Sequence, residues 1–170
     1  MALSSSDPAS GPRVRPQDVR PLPDEVDRRI LRVLAEDARI TNNALAERVG
    51  IAPSTCLGRV RALRESGVIR GYRADIDPEA LGLPLQAMIA VRLQAGHRGR
   101  MAEFTRRIRE RPEVLDVYFL AGADDFLLHV ATADAGALRD FVVDALSAHP
   151  EVALTETNLI FEHVRGAALS

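Results

Sequence analysis

Lysine is missing from this 170-residue chain: all 22 basic residues are arginine. With the abundant alanine, this points to GC-rich coding rather than to a function. Cysteine is nearly missing too. The single thiol, Cys56, can form neither an internal disulfide nor a cysteine-cluster metal site, which fits a reducing cytoplasm. No apolar run approaches the ~18 residues of a membrane span. The opening MALSSSDPASGPRVRP lacks the apolar centre of a secretion signal, so a cytoplasmic location and no membrane partner are expected. Absent as well are a G-x-S-x-G elbow, a phosphate-binding glycine loop, a Cys-His pairing and any repeat of fixed period.

What is present is a chain long enough for one ordinary domain or two small ones, with a hydrophobic fraction of 46% that supports a real core. The formal net charge is −2, but its distribution matters more than its sum. Between Pro53 and Tyr72 lie four arginines (Arg59, Arg61, Arg64, Arg70) and a single acid, Glu65. The basic charge is local.

Residues 1–23 are rich in Ser, Pro, Gly and Arg without apolar periodicity, and read as a disordered arm, either inert or touching DNA. From residue 24, Val26, Ile30, Val33 and Leu34 recur at helical spacing behind an acidic first turn. Thr41 is a good N-cap for a short helix with Leu45 and Val49 inward, and Gly50 suits its left-handed end. Pro53 opens a third helix that Gly67 closes. VIRGYRADID follows as a short strand or wing, completing a domain over 24–74, and 75–84 is a Pro/Gly-bounded linker.

Over 85–164 the spacing predicts strand, helix, two strands, helix, strand. Leu85, Ala87, Ile89, Val91 and Leu93 share one strand face, and Met101, Phe104 and Ile108 one helical stripe. The order β-α-β-β-α-β is the ferredoxin-like split unit. Residues 165–170 form a tail. The expected class is α+β: a winged helix-turn-helix domain followed by a ferredoxin-like βαββαβ domain.

Three short helices with a four-residue turn between the second and third make a helix-turn-helix signature. Winding the third helix at ~100° per residue puts Cys56, Val60 and Leu63 on one side, with Leu57 at the margin. Ser54, Gly58, Arg61, Ala62 and Glu65 lie opposite, flanked by Thr55 and Arg59. Cys56 therefore faces the core. The small, hydroxylated, arginine-bearing outer face suits a helix laid in a major groove. Candidate DNA contacts are Thr41, Asn42 and Asn43 at the start of the second helix, and Ser54, Thr55, Gly58, Arg59 and Arg61 on the third. A solvated helix face is the competing explanation of the arginines. Ala52 is a poor N-cap, and Gly58 weakens the helix interior.

At this point the sequence resembles the Lrp/AsnC family of leucine- and asparagine-responsive regulators. The residues that carry the match are Asp27, Ile30, Leu31, Leu34, Leu45-Ala46, Val49-Gly50, Pro53 through Leu63 and the run Gly67 to Asp77. In the second half they are the G-x-x-D turn from Gly122 to Asp125 and TETNLIF from Thr155. The resemblance covers about Asp24 to Val164. It implies a DNA-binding transcription regulator that forms homodimers through the β-sheets of its C-terminal (RAM-type) domains, and octamers that wrap double-stranded DNA. It also implies an amino-acid effector bound between dimers, at Gly122, Asp124, Asp125, Thr155 and Thr157, with no metal or other cofactor. The sequence departs from the family at Ala123-Asp124, where members often carry an acid and an aromatic. Asp125 could equally cap its own turn, and Thr155 and Thr157 could be ordinary β-branched strand residues.

Two other functions fit the same scaffold. Siroheme decarboxylases share it and would use histidines and arginines of the sheet domain. The four histidines, His97, His129, His149 and His163, show no metal-type spacing. An effector-independent architectural DNA-binding protein is the other.

Overall fold

The computed structural model describes residues 22–164 and 166, so the expectations for the arm and tail lie largely outside the described residues. The chain divides into two compact units, with Arg73 closing the first and Ala74 opening the second.

The first unit is three helices. Helix α1 (Glu25–Glu36) begins with a reciprocal capping box. The Asp24 carboxylate accepts from the Asp27 N–H at 2.8 Å, and the Asp27 carboxylate accepts from the Asp24 N–H at 3.2 Å. Helix α2 (Asn42–Val49) is capped by the Thr41 hydroxyl, which accepts from the Ala44 N–H at 3.3 Å. It ends at Gly50, whose φ of 76° is the left-handed conformation that a Cβ disfavours. Helix α3 (Pro53–Glu65) has proline in its first turn and, as expected from Ala52, no side-chain cap. Ile30, Leu45, Ala46, Val49, Cys56 and Leu63 meet in a buried core, with Val26, Leu34, Ile51, Val60 and Val68 packed around it.

The strand allowed for in VIRGYRADID does not form. Residues 68–77 run without regular structure. The Ile69 N–H bonds back to the Leu63 carbonyl at 2.9 Å, and Gly71 has a φ of 154°. A strand needs a neighbour to take its N–H and C=O groups. Every strand among the described residues lies in the second unit.

The second unit orders β1 (Leu85–Leu93), α4 (Met101–Arg109), β2 (Val114–Phe119), β3 (Phe126–Thr132), α5 (Ala135–Phe141) and β4 (Val152–Ile160). The sheet runs β2-β3-β1-β4, with every neighbouring pair antiparallel. This is the split βαβ arrangement expected from the element order. The alternation in β1 buries Ala87, Ile89, Val91 and Leu93 against Phe104, Ile108, Leu138, Phe141 and Leu146. The last predicted helix is not uniform: α5 continues as a π-helical turn over Val142–Ser147. On the other sheet face, His129 Nε2 lies 3.0 Å from Gln86 Oε1.

Phe104 is fully buried, with its ring centroid 4.8 Å from that of Phe126. Phe104→Ala is expected to cost about 3–5 kcal/mol, read by chemical denaturation. A loss no greater than that of an exposed side chain would contradict this core.

Candidate nucleic-acid interface

Helix α3 has two faces because its apolar residues recur at helical spacing. Cys56 and Leu63 are buried, and Val60 is half-buried. Burial pushes the Cys56 thiol pKa up, which favours the unreactive thiol form. The outer face exposes Ser54, Thr55, Gly58, Arg61 and Ala62. Leu57, placed by winding at the margin of the inner stripe, is instead 61% exposed, an apolar side chain among these small and polar ones.

The start of α2 is less available than its residue types suggest. The Thr41 hydroxyl is occupied as a helix cap. Asn42 Nδ2 donates to the Pro53 carbonyl at 2.9 Å and so ties the start of α2 to the start of α3. Asn43 is exposed.

Arg59 takes a different place from the one expected. Helical winding puts it at the edge of the outer face, but its guanidinium turns to the start of α1. Nη1 lies 2.6 Å from Asp24 Oδ2 and 2.9 Å from Asp27 Oδ1. The capping box thus presents two carboxylates to one cation of α3. The bond from the Asp27 N–H, with Arg59 second, holds the Asp24 carboxyl below its usual range, and the two carboxylates raise Arg59 in turn. Arg61, by contrast, is 79% exposed and, among the described residues, paired only with Glu65, one helical turn on, at 2.7 Å. Such exposed pairs are weak and readily exchanged for another anion.

Among the described residues, nothing outside its own helix gives Gly58 a steric reason to be glycine: no such atom lies within 4 Å of where a Cβ would stand, and its backbone is helical.

In the second unit, Gly122, Asp124 and Asp125 occupy the turn between β2 and β3. Asp125 is buried, and its carboxylate accepts from the Leu93 N–H at 2.8 Å, while its own N–H bonds the Val91 carbonyl at 3.0 Å. It caps the end of β1 rather than only its own turn. Asp124 pairs with Arg92 at 3.2 Å. Thr155 and Thr157 stand on β4, opposite Val91 and Ile89. Since Phe126 is opposite Val91 on the far side, β1 separates the threonines from the β2–β3 turn by two strand spacings, about 10 Å.

His149 lies 4.0 Å from Glu151, His163 follows β4, and the side chain of His97 is outside the described residues. Among the described residues, no group of three or more His, Cys, Asp or Glu is placed to hold a metal ion.

Residues 23–70 match the family described as winged helix-turn-helix DNA-binding, and residues 86–167 match the Lrp/AsnC ligand binding domain. The HTH-type transcriptional regulator AldR of Mycobacterium tuberculosis is 63% identical over 89% of this chain and 86% of its own length. The leucine-responsive regulatory protein of Rhizobium meliloti is 41% identical, with 85% and 92% covered. The crystal structure of the M. tuberculosis AldR superposes with a TM-score of 0.72 at 57% identity, covering 91% of this chain and 99% of that one. A Neisseria meningitidis transcriptional regulator in complex with L-methionine gives a TM-score of 0.78 at 35% identity, with 86% and 95% covered.

Replacing Arg59 with Ala is expected to lower the melting temperature of the first unit. Because the Asp24 pKa is depressed on folding, the stability it lends is present above its unfolded pKa and lost as pH falls through the folded one. The gap between wild type and Arg59→Ala should be full at neutral pH and close in acid. A gap that does not change with pH would contradict a stabilising contact between Arg59 and the α1 capping-box carboxylates. For Asp125→Ala, leaving the Leu93 N–H unsatisfied is expected to cost about 1–3 kcal/mol. Asp125→Asn, which keeps an acceptor, should cost less.

Proposed function

Because the chain belongs to the Lrp/AsnC family of DNA-binding transcription regulators, we propose that it docks α3 in the major groove of double-stranded DNA. Ser54, Thr55, Gly58 and Arg61 face the base edges and phosphates. The observation that carries this is the exposed, small-residue face of α3, backed by the buried Cys56 and Leu63. Short side chains let the backbone approach base edges, and Arg61 exchanges Glu65 for a phosphate or a guanine. Asn43 adds a contact from α2. Thr41, Asn42 and Arg59 support this surface by fixing α2 and α1 against α3.

Gly58 belongs to the same proposal. With open space around its Cβ position, the fold gives no reason to keep it, and the DNA does.

The second unit senses a small amino acid. Two structural relatives, the N. meningitidis regulator and a feast or famine regulatory protein of M. tuberculosis, are complexes with L-methionine, which supports an effector of this class. Here Gly122, Asp124 and Asp125 contribute from the β2–β3 turn and Thr155 and Thr157 from β4. In this reading the site is completed between copies of the chain, in homodimers that assemble to octamers in the cytoplasm. A decarboxylase acting on siroheme finds no support in relatives named as transcriptional regulators.

Arg61→Ala is expected to weaken DNA binding at physiological salt while leaving assembly intact, as read by a binding titration beside sedimentation. Unchanged affinity would remove α3 from the interface. Gly58→Ala should stabilise the helix by up to about 1 kcal/mol and still weaken DNA binding. If it binds DNA as well as wild type, the close approach at this residue is wrong. Calorimetric titration with the common amino acids should give heat with at least one of them. No heat with any would withdraw the effector and leave the DNA-docking proposal standing.

A further inference from the structure

An open trough of about 700 Å³ lies between the second half of α3 and the segment after it. Arg61, Arg64, Glu65, Ile69, Arg70 and Tyr72 line it. Of its acids and bases, Glu65 is already paired with Arg61. Arg64 and Arg70 are both exposed, and among the described residues neither stands in an ion pair. In a chain with 24 acidic residues against 22 basic ones, two unpaired guanidinium groups facing one trough leave a local excess of positive charge. Tyr72, 47% exposed, adds a phenol that can donate to an anion oxygen.

The segment that forms the outer wall is held close to α3. The Ile69 N–H bonds the Leu63 carbonyl at 2.9 Å, Gly71 has a φ of 154°, and Arg70 and Tyr72 on either side of it border the same space. That φ is one an L side chain rarely adopts. The unformed strand of this region thus has a physical counterpart: a coil wall bearing cationic and phenolic groups.

We propose that this trough takes the sugar-phosphate backbone of duplex DNA, with Arg64 and Arg70 each neutralising a phosphate and Tyr72 donating to a phosphate oxygen. It is a sequence-independent contact alongside the outer face of α3. The inference rests on the reading of α3 as the DNA-docking helix. Arg64 and Arg70 set affinity and its salt dependence, and leave sequence preference to the α3 face.

The test measures binding to a short duplex of random sequence over a range of salt, using the full chain. Wild type is compared with Arg64→Gln, Arg70→Gln and Arg139→Gln, the last an exposed arginine of α5 in the other unit. Each of the first two should lower the slope of log affinity against log salt by about 0.9. That is a three- to fourfold smaller fall in affinity between about 50 and 200 mM salt. Arg139→Gln should leave the slope unchanged. A slope unchanged in Arg64→Gln and Arg70→Gln, with Arg61→Ala still weakening binding, overturns the trough and keeps the α3 reading. If wild type binds no duplex at any salt, both fall.

Discussion

The roll of one short helix decides what this protein can present to DNA, and two contacts of different kinds fix that roll. Cys56 and Leu63 bury one side of α3 in the three-helix core. Arg59 then ties its flank to both carboxylates of the α1 capping box. Apolar burial is non-directional and leaves a helix some freedom to turn on its axis. A guanidinium held by two carboxylates at 2.6 and 2.9 Å removes it. With α3 so held, Ser54, Gly58 and Arg61 must face outward. The lone cysteine, which beside several arginines could suggest a nucleophile, is packing beneath that surface.

The arginines of this region therefore divide by partner. Arg59 is engaged within the fold, Arg61 holds only an exposed carboxylate on its own helix, and Arg64 and Arg70 are without an acidic partner among the described residues. The division explains how a chain of net charge −2 can still bind a polyanion. Its positive charge is concentrated and, in part, uncompensated. The sheet domain uses its charges differently. Asp125 is bound to the Leu93 N–H and Asp124 to Arg92, so the turn that resembles an effector site is also what holds the end of β1. Binding there would act on a turn that is already structural, a direct route from ligand to sheet.

Much of this was legible in the sequence wherever the signal is local. Periodicity in α3 and α4, the alternation of β1, the Thr41 cap and the left-handed Gly50 all depend on neighbours a few residues away. What was not legible depends on distant partners. Nothing near Arg59 indicates that its carboxylates lie 32 and 35 residues earlier. Asp125 finds its backbone donor 32 residues back, across a strand pairing. Leu57 shows the limit of winding alone: at the margin of a stripe, the neighbouring helices decide whether a side chain is covered, and here they leave it exposed. The strand allowed for after Gly67 lacked a partner within its own unit, a condition that no local pattern can report.

Methylation interference tests the central claim most directly, on duplexes that the protein itself selects from random sequence. Methyl groups at guanine N7 stand in the major groove, and those at adenine N3 in the minor groove. If α3 reads DNA through Ser54, Gly58 and Arg61, methylation at guanine N7 should block binding at positions that become indifferent in Arg61→Ala. Interference confined to adenine N3, or an N7 pattern that Arg61→Ala leaves unchanged, would contradict it.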